Sequence, residues 1–476
     1  MGGSDDSSII SRRAVLSALG VGGGLTTGFA LTRQSREAND LPDSNDAAAQ
    51  LDSRLDRIGQ DTWAFFDEFS HDDTGFAPDR VDATAAGYTR RSVTSPANVG
   101  LQLLATVAAS ELEVISKSSA RERAHEIIVM LRELDRWNGL FYRWYDIGNG
   151  AVAEDHGGWW EISTIDNGWL VAGLVAAGGA FPELRPMADE ILAGQSFDRF
   201  YDPDVSNPFE GGEPFGQLYG GFDARSGDDL GFHYGVFNAE TRIASYVGIG
   251  NGDVPRSHWW DTFRTFPPEW DQQGDPEGEF RAYDDNRVWE GHYEHEGIRY
   301  VPSWGGSMFE SLMPSLVLPE RSRGQHALGA NNRRQVQLQI NHAEEQGYDA
   351  WGFSPCGLPD GYAEFGVARA GIEGYERDDV ATPHATLLGL EYASESEIAG
   401  ALDAYVDRGL DTEYGFYDSM SLVSDWTTNA YLALDQGISL VAIANYLRDG
   451  AVRDAFVNHP VGSGPTGLLE AERFTI

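Results

Sequence analysis

Cleaving an acetal bond needs two carboxyl groups, one protonated to assist the departing oxygen and one ionised to activate water or attack carbon. The useful acids lie on apolar faces or in aromatic loops, where desolvation raises a carboxyl's pKa. Glu240 meets that test in "GFHYGVFNAETRIASYV", residues 231–247. Helical spacing puts it on one face with Ile243 and Val247, the side that ought to be buried. The competing reading is a first-turn acid that complements the dipole of a helix over 237–248, with Asn238 as its N-cap. Asp166, in "WWEISTIDNGWLVAGLVAA", aligns with Ile162, Trp169, Leu170 and Gly173. Asp is unfavourable inside a helix, unless it caps one that begins at Asn167. Asp418, in the Gly- and aromatic-rich stretch "EYGFYDSMSLVSDW", is the third candidate. Asp425, Asp435 and Glu310 are weaker signals, because a lone acid in a turn is usually a turn residue.

Other chemistries find little support. Eleven histidines include no HExxH pair, and "HYEHEG" (292–297) reads as a solvated hairpin rather than a ligand set. No GxSxG, phosphate loop or dinucleotide fingerprint is present. No cofactor and no metal ion is expected. Cys356 is the single cysteine, which excludes an intramolecular disulfide and any cysteine-rich metal site.

The net charge is −41, with 75 acidic against 34 basic residues, and Lys117 is the only lysine. Such a surface repels nucleic acid and anionic membranes. The acids are scattered among periodic apolar residues rather than run together, which points to a folded protein adapted to high salt. Thirteen Trp and nineteen Tyr suit a large core and also sugar-binding clefts, where such rings stack on pyranoses.

The elements that must position these acids follow a signal-like start. Arg12 and Arg13 precede a Gly- and Ala-rich apolar run from Ala14 to Leu31, the pattern of a twin-arginine export signal; an uncleaved membrane anchor is the alternative. Residues 1–33 read as this signal and 34–50 as a polar linker, and the protein is expected outside the cell or on its surface. Beyond the linker, the spacing predicts helices over 49–69, 95–115, 119–136, 163–179, 184–194, 237–248, 256–263, 305–314, 330–346, 381–393, 395–408 and 429–449. Ser95-Pro96 and the Ser394/Glu397 capping box mark two clear starts. Loops too long for mere connections lie between them, with a β-hairpin expected near "RAYDDNRVWEGHYEHEGIRYVPS". About a dozen helices with long loops suggest an all-α fold: six α-hairpins closed into an (α/α)6 barrel, or toroid, its loops and short β-hairpins forming a cleft at one end. Helical spacing alone equally supports a generic bundle.

Eleven strings, in order from about residue 60 to 458, resemble the bacterial glucoamylase-like family, which includes β-1,2-glucanases and a domain of cyclic β-1,2-glucan synthases. They are "TWAFFDEF", "TGFAPDR", "TSPANVGLQLLATVAA", "NGLFYRWYDI", "STIDNGWLVAGLVAA", "NAETRIASYVGIG", "SWGGSMFESLMP", "WGFSPC…DGYAEFG", "VATPHATLLGLEYA", "EYGFYDSM" and "LDQGISLVAIANYLRDG". The resemblance implies an (α/α)6 barrel over residues 51–476 as one catalytic domain, and inverting glycoside hydrolysis. It implies Glu240 as general acid, with Asp166 and Asp418 in the pocket, Asp418 the better base and Asp166 orienting sugar or water. Arg80, Trp159, Trp160, Trp304 and Tyr362 would line subsites, with His233, Tyr234 and Glu310 as further cleft candidates. The expected partner is a glucan or related oligosaccharide. The chain departs from the family at Ala444, where a glutamate is usual before Asn-Tyr, and in loop 264–304. Two other readings stay open: a catalytically silent carbohydrate-binding or cell-surface protein on the same ring, and a polysaccharide lyase using His233 and Tyr234.

Overall fold

The computed structural model describes residues 44–209, 214–270 and 273–476. The expected export signal (1–33) and residues 34–43 of the expected linker lie outside them. The described chain is mostly helical: α1 Ser44–Phe69, α2 Pro96–Glu111, α3 Lys117–Glu133, α4 Thr164–Ala180, α5 Arg185–Gly194, α6 Arg242–Asn251, α7 Met308–Leu312, α8 Glu320–Arg323, α9 Leu328–Gln346, α10 Pro383–Leu388, α11 Glu395–Asp407, α12 Ala433–Leu447 and α13 Ala451–Val457. Helix α1 thus takes in the last seven residues expected of the linker. The two predicted starts hold: Ser95 accepts from the Asn98 N–H ahead of Pro96, and Ser394 and Glu397 form a complete capping box.

Helices α2, α4 and α12 are buried nearly all round, as helices that are apolar on every face must be. Their close approach depends on glycine. A Cβ on Gly173 of α4 would stand 2.4 Å from the Gly100 carbonyl of α2, and one on Gly437 of α12 would stand 2.8 Å from the Leu101 side chain. Packing continues in sequence, α12 on α2, α2 on α4 and α4 on α6, while α7 meets α10 and α10 meets α12. Arg242 of α6 joins α7 by donating to the carbonyls of Glu310 and Ser311. Helices α1, α3, α5, α9 and α11 back α12, α2, α4, α7 and α10 in turn. Among the described residues, no helix is long and apolar enough to cross a membrane.

The loops hold more strand than an all-α reading with local hairpins anticipates. Nine small sheets of two or three strands are present among the described residues. The hairpin expected near 281–303 is there, as Glu277–Tyr283, Asn286–His295 and Ile298–Tyr300. Other pairings are long-range and leave no local signal: Arg80–Asp82 pairs with Ala430–Leu432, and Val380–Ala381 with Ser419–Ser421. The first of these explains why the predicted helix 429–449 starts only at Ala433. The predicted helix 237–248 is displaced for a similar reason. Val236 bridges Phe263 and the Phe237 N–H donates to the Phe263 carbonyl at 2.8 Å, which draws the chain out until α6 begins at Arg242.

Candidate active site

Glu240 therefore lies in the turn just before α6, not within a helix, and is only 9% exposed. Asn238 does not cap α6: its side-chain amide donates to the Val301 carbonyl at 3.0 Å. The turn is held from beneath by Arg242, whose Nη1 donates to the carbonyls of Ala239 (3.0 Å) and Glu310 (3.2 Å). The guanidinium is itself paired with Glu320 at 2.8 and 3.1 Å, both side chains fully buried. Glu320 also accepts from Asn332 at 2.8 Å. Arg242 thus fixes the backbone next to Glu240 relative to the backbone that carries Glu310.

Glu310 faces Glu240. Its carboxylate closes the capping box of α7 with Ser307 and accepts from the Ser303 hydroxyl (2.8 Å), the Gly305 N–H (2.9 Å) and the Tyr375 hydroxyl (2.8 Å). Burial first, and then the charge of Glu240, raise its pKa, against the lowering effect of these donors. Tyr375 comes from a distant segment, stitched to the 303–305 turn by backbone bonds from Ile372, Glu373, Gly374 and Tyr375. Its ring lies so close that a Cβ on Gly305 would stand 2.2 Å from it. The phenol is held well above its usual range by burial and by Glu310, Glu364 and Glu240.

Glu364 completes the group. It is half-buried, and burial followed by the charges of Glu310 and Glu240 pushes its carboxyl up to about 7. Three carboxylates that share one environment cannot all ionise without mutual repulsion, so the group is built to hold a proton near neutral pH. Beside it, Trp304 and Phe266 pack on Val236, Ala239 and Ile372. The sequence reading thus finds Glu240, Glu310 and Trp304 together, but missed Glu364 and Tyr375. Glu364 carried a signal, a carboxylate two residues past Tyr362 in a Gly-aromatic loop. Tyr375 carried none, because only long-range backbone pairing brings it in.

Asp418 belongs to an adjoining group. It is 2% exposed, accepts from the Gly357 N–H at 2.6 Å, and lies with His384 and Asp435 so that one donor atom from each falls within 4.8 Å of the others. These three could hold a cation; His295, Glu296 and Glu345 form a second, more exposed set. Asp435 lies in the first turn of α12, and burial lowers the His384 pKa to about 3, which keeps the ring neutral. The hairpin Cys356–Leu358 and Gly361–Ala363 links the groups. Asp418 grips it at Gly357, Arg80 donates to the Leu358 and Gly361 carbonyls while paired with Asp82, and half-buried Tyr362 leads to Glu364.

Asp166 is half-buried in the first turn of α4, three residues beyond the N-cap Ser163, and not at the start of a helix from Asn167. Near it in sequence, Trp159 and Trp160 meet edge to face at 6.2 Å, with Arg225 over Trp160 at 3.8 Å. His233 bonds Asp202 at 2.9 Å and packs on Tyr219. Tyr234 packs against Phe232.

Residues 279–460 match the family described as "Putative glucoamylase", and residues 57–205 match "Protein of unknown function (DUF3131)". The chain is 29% identical over 254 residues, half its length, to the cyclic β-(1,2)-glucan synthase NdvB of Rhizobium meliloti, and it covers 8% of that protein. Among solved structures, a putative glucoamylase from Bacteroides fragilis gives a TM-score of 0.68 at 19% identity, covering 92% of this chain and 99% of that one. The endo-β-1,2-glucanase of Chitinophaga pinensis gives 0.65 at 19%, covering 88% and 98%. The β-1,2-glucanase of Parabacteroides distasonis gives 0.69 at 18%, covering 91% and 61%. The likeness to glucoamylase-like proteins is thus present in the family match, the curated relative and the fold.

Proposed function

We propose that the protein is a glycoside hydrolase acting on a β-1,2-linked glucan, with its inner and outer helices closing as an (α/α)6 ring. The observation that carries this reading is the convergence of Glu240, Glu310 and Glu364 beside Trp304. A silent binding protein has no need of like charges gathered under an aromatic side chain. The substrate class comes from the glucan synthase and glucanases it resembles. Glu240 donates its proton to the glycosidic oxygen as the C1–O bond breaks, while a water attacks C1 from the opposite face and loses its proton to a carboxylate, which inverts the anomeric carbon. Asp418 is the proposed base and Asp166 the residue that orients sugar. A second base is favoured by one observation: Glu364 is half-buried and faces Glu240, whereas Asp418 is 2% exposed. Export through the twin-arginine route and adaptation to high salt are part of the proposal, supported by Arg12-Arg13 and the net charge of −41.

The test is release of reducing ends from linear β-1,2-, β-1,3-, β-1,4- and β-1,6-glucans, in molar KCl and in dilute buffer. Cleavage of the β-1,2 chain, faster in salt, is expected. Failure to cleave any of them removes the hydrolase, and equal rates and thermal stability in dilute buffer remove the salt adaptation.

A further inference from the structure

We propose that Trp270, stacked on Phe266, forms a separate sugar-stacking ledge that takes a neutral β-glucan chain running beyond the cleavage point. The proposal rests on the glycoside hydrolase reading for the identity of its ligand. Trp270 is 42% exposed, and Phe280, further along the same region, is 39% exposed. Only six large hydrophobic side chains are exposed to this degree among the described residues, and the two aromatics outside Tyr88 both fall here. An exposed indole on so acidic a surface calls for an explanation, because large apolar side chains gathered at the surface usually mark a ligand or partner.

The ledge is built, not incidental. The Trp270 ring stacks on Phe266 with centroids 4.3 Å apart and planes 26° from parallel, and the residue stays 42% exposed. Phe266 is braced by Phe263 at 4.9 Å, and both its backbone N–H and its carbonyl bond the Gln273 side chain. That Gln273 side chain also donates to the Pro267 carbonyl at 2.7 Å. A partly exposed indole braced by a neighbouring ring suits the axial C–H face of a β-linked glucopyranose, which is apolar and flat.

The ledge is also continuous with the candidate active site. Phe266 packs with Trp304 on Val236, Ala239 and Ile372, and Ala239 adjoins Glu240. Phe263 bonds the backbone of Gly235 and Phe237, the strand that leads into the Glu240 turn. A chain seated at Glu240 thus has an aromatic path outward through Trp304 and Phe266 to Trp270. The charge of the molecule selects a neutral polymer, since a polyanion would be repelled.

The test measures binding by calorimetry, in molar KCl, of a β-1,2-linked trisaccharide and of a long β-1,2-glucan to the Glu240→Gln protein with and without Trp270→Ala. One stacking contact contributes about 0.5–1.5 kcal/mol, or roughly two- to tenfold in affinity. The expected result is a loss of that size for the long chain alone, unchanged trisaccharide binding and thermal stability, and recovery with Trp270→Tyr. Equal affinity of both proteins for the long chain, or equal losses for both ligands, overturns the ledge. The two readings fail separately: Trp270-dependent binding in a protein whose wild type cleaves nothing keeps the ledge and removes the hydrolase. Cleavage with no Trp270 dependence does the reverse.

Discussion

At the scale of the residue, the informative group is Glu364. Its carboxyl is pushed up to about 7 from an ordinary value of 4.5 by burial and by the charges of Glu310 and Glu240. The folded protein therefore binds this proton more tightly than the unfolded chain does. Its contribution to stability is intact below about 4.5, declines as pH rises towards 7, and stays lost above that. Glu364→Gln should remove this decline, so the variant should gain stability over the wild type as pH rises from 4.5 to 7, read from urea unfolding at a series of pH values. A constant difference across that range would mean that Glu364 does not titrate against Glu240 and Glu310. The sequence singled out Glu240 on the expectation of a buried helical face, whereas the structure puts it in the turn before α6. What makes Glu240 unusual is its company, and Glu310, Glu364 and Tyr375 all come from segments more than sixty residues away.

At the scale of the element, the site depends on how the Glu240 turn, the start of α7 and the 371–375 segment are joined. Arg242, held by its buried pair with Glu320, joins the first two by donating to the Ala239 and Glu310 carbonyls at once, and backbone bonds from Ile372 to Tyr375 tie the third to the 303–305 turn. Removing one partner of such a pair leaves an uncompensated buried charge and costs about 3–5 kcal/mol. Glu320→Gln should lower unfolding stability by that order in molar KCl, and should reduce kcat more than it raises KM, because the Glu240 turn loses its tether. Stability within about 0.5 kcal/mol of wild type would show that the pair is not structural. The helices themselves were legible where periodicity and caps coincide, as at Ser95-Pro96 and Ser394. They were misplaced where a distant strand claims the chain: Phe263 draws out 236–237, and Arg80–Asp82 draws out 430–432.

At the scale of the whole molecule, the helical character and the likeness to glucoamylase-like proteins were readable from ordered strings. The small sheets that tie loop to loop were not, because their partners lie far apart in sequence. The same distance separates the residues of the site, so its membership could be only half read. The fold contributes a buried framework on which the turn before α6, the start of α7 and the loop after Gly361–Ala363 bring Glu240, Glu310 and Glu364 together. The account's central claim is that Glu240 protonates a glycosidic oxygen there. The most direct test is the cleavage rate of linear β-1,2-glucan at molar KCl by wild type and by Glu240→Gln, with thermal unfolding measured alongside. A missing general acid costs roughly 10²–10⁴-fold. The account expects a loss of that size in kcat with an unchanged melting temperature. Equal rates in the two proteins would contradict it.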